Sequence, residues 1–156
     1  MQAPTHRIGP EDLVPMVAAT LADETDLIAN MANIAALVFE ALPDINWAGF
    51  YLWKEGMLVL GPFQGRVACT RIAPGRGVCG TVAQERRTRL VPDVHAFPGH
   101  IACDAASAAE IVVPVLHGER LVGVLDVDSP RLNRFTLVDQ NRLEQVVALL
   151  VARMTP

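Results

Sequence analysis

The stretch Glu110-Ile111-Val112-Val113-Pro114-Val115-Leu116-His117-Gly118-Glu119-Arg120-Leu121-Val122-Gly123-Val124-Leu125-Asp126-Val127 decides how this chain folds. Glu110 to Leu116 and Leu121 to Val127 read as strands, and His117-Gly118-Glu119-Arg120 reads as the turn between them. Two apolar, β-branched runs joined by a short loop with glycine form a β-hairpin, whose strands are antiparallel. A second hairpin is predicted upstream. Asn46 to Trp53 alternates, with Ala48, Phe50 and Leu52 on one side and Trp47, Tyr51 and Trp53 on the other, Gly49 between them. Glu55-Gly56 turns the chain, and Met57 to Leu60 begins the partner strand.

Helical periodicity surrounds these hairpins. Residues 1–10 carry Pro4, Gly9 and Pro10 and read as a lead-in, followed by a short helix from Glu11-Asp12 to about Leu21. Asp23 is placed to cap a longer helix, along which Leu27, Met31, Ile34 and Val38 form one apolar stripe, ended near Pro43. Thr136-Leu137-Val138-Asp139 resembles a capping box, and Leu143, Val146, Val147 and Leu150 continue one helical face. Between the hairpins, residues 61–80 carry five glycines and two prolines and read as loop. A short helix from about Cys79 to Arg86 and a short strand from Arg89 to Val91 follow. Pro92 to Ala109 is long and irregular, as functional loops often are. The order predicts an α+β domain with a central antiparallel sheet flanked by helices. Residues 1–20 form the lead-in and short helix, and 21–156 a single domain.

Composition narrows the function. At 156 residues and 51% hydrophobic, the chain is long enough for one sizeable core. Its net charge is −4 and Lys54 is the single lysine, so no basic stripe exists to neutralise phosphates, and nucleic acid is a poor partner. No apolar run reaches the roughly 18 residues that span a bilayer, and no signal pattern opens the chain, which predicts a cytoplasmic protein without membrane attachment.

Three cysteines, Cys69, Cys79 and Cys103, fall within one 35-residue stretch. In a reducing compartment such clustered thiols more often serve catalysis, redox sensing or metal binding than a structural framework, and a small buried cysteine that fills space is the plainer reading of Cys103. Cys103 lies in a polar segment of small residues, and the alanines after it favour a helical turn whose start would promote thiolate, with Asp104 opposing. Cys69 and Cys79 lie on the glycine-rich segment, from which either can reach Cys103 for a two-thiol redox cycle. Zinc is the competing reading, but it usually uses paired spacings such as C-x2-C, which are absent, and no metal is assigned. Asp126 and Asp128 project from one strand face, where proximity and burial raise their proton affinity, so one can donate a proton near neutral pH. The plainer reading is a pair of solvated strand-end acids, and a divalent metal is a third. Glu110 opens the preceding strand, and the hairpin can bring it near these acids. Trp47, Tyr51 and Trp53 either pack a sheet–helix interface or wall a small ligand. His95 and His100 flank the Cys103 loop as possible bases.

Several motifs occur in a fixed order: Asn46-Trp47-Ala48-Gly49-Phe50-Tyr51, Leu60-Gly61-Pro62-Phe63-Gln64-Gly65, Gly75-Arg76-Gly77-Val78-Cys79-Gly80-Thr81, Gly99-His100-Ile101-Ala102-Cys103-Asp104-Ala105-Ala106-Ser107 and Gly123-Val124-Leu125-Asp126-Val127-Asp128-Ser129. Together they resemble the free methionine-(R)-sulfoxide reductases, enzymes built on a GAF domain, over roughly residues 20–150. The resemblance implies Cys103 as nucleophile on the sulfoxide sulfur and Cys69 as the resolving thiol that closes a disulfide with it. It makes Cys79 an additional thiol for relay. It implies Glu110, Asp126 and Asp128 as acids that bind the substrate ammonium and assist protonation of the sulfoxide oxygen. Trp47 and Tyr51 become the wall around the methyl-sulfoxide end. It further implies thioredoxin as reductant, no bound cofactor and a homodimer. A GAF-type small-ligand sensor and a redox sensor without turnover are the other readings.

Overall fold

The computed structural model describes residues 8–100 and 106–155. Among these residues six strands form one sheet: β1 Trp47–Lys54, β2 Met57–Gly65, β3 Arg71–Ile72, β4 Arg89–Val91, β5 Ala109–His117 and β6 Arg120–Ser129. Their order is β3-β2-β1-β6-β5-β4, and every neighbouring pair is antiparallel. Both predicted hairpins are present, and β1 joins them by pairing with β6. Among the described residues four α-helices accompany the sheet: α1 Leu13–Thr20, α2 Leu27–Ala41, α3 Gly77–Glu85 and α4 Leu137–Ala152.

Strand alternation divides the interior into two cores. Ala48, Phe50 and Leu52 of β1 join Ile111, Val113, Leu125 and Val127 on one face, against Met31, Ile34 and Val38 of α2 and Leu143, Val146 and Leu150 of α4. Leu13 and Val17 of α1 are fully buried in the same core. Trp47 and Tyr51 belong to the opposite face with Val112 and Val124, which α3 covers through Val78, Cys79 and Val82. The predicted split of β1 into two faces is the split observed.

Local chemistry sets the helix boundaries. The cap of α2 is Asp26, not Asp23: its Oδ1 accepts from the Ala29 N–H at 2.8 Å. Only a residue immediately before the first turn can reach that donor, and Asp23 stands three residues too early. Thr136 and Asp139 form the capping box at α4. The irregular reading of residues 61–65 is also corrected, because β2 continues to Gly65. Gly61 and Pro62 sit at a bulge, where the register shifts between Gly49↔Phe63 and Tyr51↔Leu60. The extra β2 residue tolerates a proline that cannot donate to the ladder. Helix α3 begins at Gly77, two residues before the predicted start.

Candidate active site

The register of the sheet assembles the site. On the face that α3 covers, Trp47 of β1 stands opposite Asp128 of β6, which stands opposite Glu110 of β5. Asp126 lies two residues back on β6, paired with Gly49, the residue without a side chain. Period-two alternation therefore places Trp47, Asp128, Glu110 and Asp126 on one surface. Cys79, in the first turn of α3, faces this surface with its Sγ 3.8 Å from Glu110 Oε2. Cys79, Glu110 and Asp126 are all buried. Together with Asp128, Tyr51, Trp47, Arg76 and His100 they line a pocket of about 550 Å³, its open mouth included.

Burial controls the protonation of this group. Asp126 is pushed well above the usual carboxylate range by loss of solvent first and by the charge of Asp128 second. Glu110 is raised well above its ordinary value by burial and then by the charge of Asp126. The Cys79 thiol is raised by burial, with Asp126 and Glu110 adding to the effect. Tyr51 is raised for the same reasons, burial first and Asp126 next. Carboxylic acids that keep their protons toward neutral pH can donate one to a bound group. A thiol held protonated in this way is a weak nucleophile.

The aromatic wall is built across strands. Trp47 stacks on Tyr51 with ring centroids 5.9 Å apart, and on Phe63 of β2 at 5.3 Å. The Trp47 Nε1–H donates to the Arg66 carbonyl at 3.1 Å, and the Tyr51 hydroxyl donates to the Cys69 carbonyl at 2.9 Å. The second bond ties the backbone of Cys69 to the wall, beside Val67 and Ala68 at the pocket edge. Cys69 is disulfide-bonded, and Cys79 is a free thiol.

Among the predicted site residues, the structure brings together Glu110, Asp126, Asp128, Trp47, Tyr51 and Cys79. Cys103 lies outside the described residues. The predicted helical turn after it is not continued through Ser107 and Ala108, which are irregular. Trp53 shares the Trp47 face but does not line the pocket. His100 lines the pocket, with its imidazole lowered from its ordinary value by burial and by His95. His95 stands edge-on to it at 5.9 Å between ring centroids. Two contributors were not singled out by the sequence reading. Phe63 carries no signal until the bulge fixes its register beside Gly49. Arg76, the arginine of the pocket lining, sits in the glycine-rich approach to α3.

The geometry has a counterpart among known proteins. A GAF domain model matches residues 29–152. The free methionine-R-sulfoxide reductase of Escherichia coli is 54% identical over 132 residues, 85% of this chain and 80% of that protein. Among solved structures, the reduced form of fRMsr of Staphylococcus aureus superposes with a TM-score of 0.90 at 44% identity, covering 97% of this chain and 99% of that one. The free methionine-R-sulfoxide reductase of Neisseria meningitidis, solved in complex with its substrate, gives a TM-score of 0.88 at 45% identity, covering 92% and 87%.

Proposed function

The chain belongs to the GAF-domain free methionine-R-sulfoxide reductases, and from that premise we propose that it reduces free L-methionine-(R)-sulfoxide to methionine by thiol chemistry in the pocket of Glu110, Asp126 and Asp128. The observation that carries this reading is the buried pair Glu110 and Asp126, both raised toward their protonated forms, set beside Asp128 and an aromatic wall. A sulfoxide oxygen leaves poorly until it is protonated, and acids that hold their protons supply that step. The substrate ammonium is met by the ionised member of the acid cluster, and its methyl-sulfoxide end by Trp47 and Tyr51. A free amino acid, whose charged ammonium the acids can meet, is favoured over an amide-linked residue of a protein chain, which carries no such charge.

Cys103 is the proposed nucleophile. Its thiolate attacks the sulfoxide sulfur, the protonated oxygen passes to Cys103 as a sulfenic acid, and methionine leaves with two electrons. The Cys69 thiol then attacks the sulfenic sulfur, expels water and closes a disulfide with Cys103. The position of Cys69 beside the pocket edge supports this pairing. Thioredoxin returns both thiols, and the working form is a homodimer, both by resemblance to the family. Burial and a raised pKa favour Cys79 as an accessory thiol over a first nucleophile.

The test mixes reduced protein with the R and S epimers of free methionine sulfoxide, without added reductant, and counts methionine formed and thiols lost. One methionine per chain with two thiols consumed, for the R epimer alone, is the expected result. Cys103→Ser forms none, and Cys69→Ser forms one equivalent but recycles poorly with thioredoxin. Unchanged steady-state activity in Cys103→Ser overturns the assignment. No methionine from either epimer favours a ligand sensor.

A further inference from the structure

The pocket brings one thiol and two carboxyl groups together, a donor set with a capacity beyond the proposed sulfoxide chemistry. A ligand atom from each of Cys79, Glu110 and Asp126 lies within 4.8 Å of the others. The Cys79 Sγ to Glu110 Oε2 separation is 3.8 Å. Zinc binds thiolate sulfur at about 2.3 Å and carboxylate oxygen at about 2.1 Å, so a tetrahedral ion separates such a pair by about 3.6 Å. The two donors therefore already stand at nearly that spacing. A second, independent observation points the same way: Asp126 is 5% exposed, and its buried Oδ1 has no hydrogen-bond partner. An acceptor left unpaired in the interior is costly, and a cation would satisfy it. The three side chains come from three regular elements, α3, β5 and β6, which hold them in place before any ion arrives.

We propose that Cys79, Glu110 and Asp126 form a binding site for a thiophilic divalent cation of the zinc class, and that an ion bound there excludes the substrate. A thiolate with two carboxylates suits such an ion better than magnesium or calcium, which prefer oxygen alone. Three protein ligands leave a fourth position open toward the pocket. Binding moves no electrons; a ligand that carries a proton releases it to solvent as its metal bond forms. Exclusion follows because the ion occupies Glu110 and Asp126. The exclusion rests on the function proposed above, whereas the binding rests on geometry alone.

The experiment uses the full chain carrying Cys69→Ser and Cys103→Ser, in which Cys79 is the sole thiol. Cadmium and cobalt are titrated while the thiolate-to-metal charge-transfer band is followed, and zinc is then added to displace them. One ion per chain with a saturable band is expected. Adding Cys79→Ser removes the band, and Asp126→Asn, which keeps the side-chain shape, weakens binding roughly tenfold or more. No band, or binding indifferent to both substitutions, overturns the site in favour of adventitious surface binding. Free methionine-(R)-sulfoxide in the same titration weakens the apparent cadmium affinity. Unaltered cadmium affinity, where calorimetry shows that the sulfoxide does bind, overturns the exclusion. A sulfoxide that does not bind at all tells against the proposed function and leaves the metal site standing.

Discussion

Asp126 concentrates the conflict between stability and chemistry. Its folded-state pKa is raised, by burial and then by Asp128. The unfolded chain gives up the same proton near pH 4. Below that value both states are protonated and the fold loses nothing. As pH rises from there toward and through the folded value, the unfolded state ionises first and stability falls, by at most about 1.4 kcal/mol per pH unit for one such group. Asp126→Asn removes this titration. The substituted protein is therefore expected to gain stability over the parent progressively from pH 5 to pH 8, while turnover of the sulfoxide falls. Thermal unfolding across that range measures it, and a difference that stays flat with pH would show that Asp126 does not carry the proton assigned to it. The acids were legible in the sequence because alternation and one hairpin fix their face. The contact of Cys79 with Glu110 was not, since 31 residues separate them and only the fold of α3 onto the sheet brings them together.

The elements matter through how closely they approach. Gly49 of β1 lies opposite Phe63, and a Cβ added there would stand 2.3 Å from the Phe63 Cβ and 2.8 Å from the Trp47 ring. The missing side chain is what lets Trp47 and Phe63 stack and leaves room above Asp126. Gly49→Ala is expected to destabilise the fold by about 1–3 kcal/mol through overpacking and to raise the KM for sulfoxide as the wall shifts. Denaturant unfolding and steady-state kinetics on the same preparation would show it, and wild-type values in both would refute this account of the glycine. Such approaches explain which element boundaries could be read in advance. The hairpins and the α4 capping box depend on neighbouring residues and were legible. The continuation of β2 past Gly61-Pro62 was not, because those residues signal a loop until a bulge absorbs them. Asp23, Glu24 and Asp26 all offer a carboxylate before α2, and only the geometry of the first turn selects Asp26.

At the scale of the whole molecule, the sheet separates the work of folding from the work of the site. The face covered by α1, α2 and α4 buries the larger apolar cluster, and the face covered by α3 buries the acids, the thiol and the aromatic wall. A buried ion pair lies outside the pocket lining. Arg134 donates to Asp139 at 3.1 Å with both side chains buried, and its Nε–H donates to the Pro43 carbonyl at 2.8 Å. One side chain thus ties the start of α4 to the segment that follows α2. Removing one member of a buried pair strands the other's charge in the interior, a loss of about 3–5 kcal/mol. Arg134→Ala is therefore expected to lower stability by that order. Asp139 also accepts from the Thr136 N–H at 2.8 Å within the α4 capping box, so removing both charges together is expected to recover only part of the loss. Because neither residue belongs to the pocket, kcat/KM per folded molecule should stay near that of the parent at a temperature where the variant remains folded. Calorimetry paired with kinetics at low temperature separates the two effects. A variant that melts normally would show that the pair does not hold the helices together. A variant that is folded but inactive would show that the two faces of the sheet are coupled, and that the stability of one face is a condition for the geometry of the other.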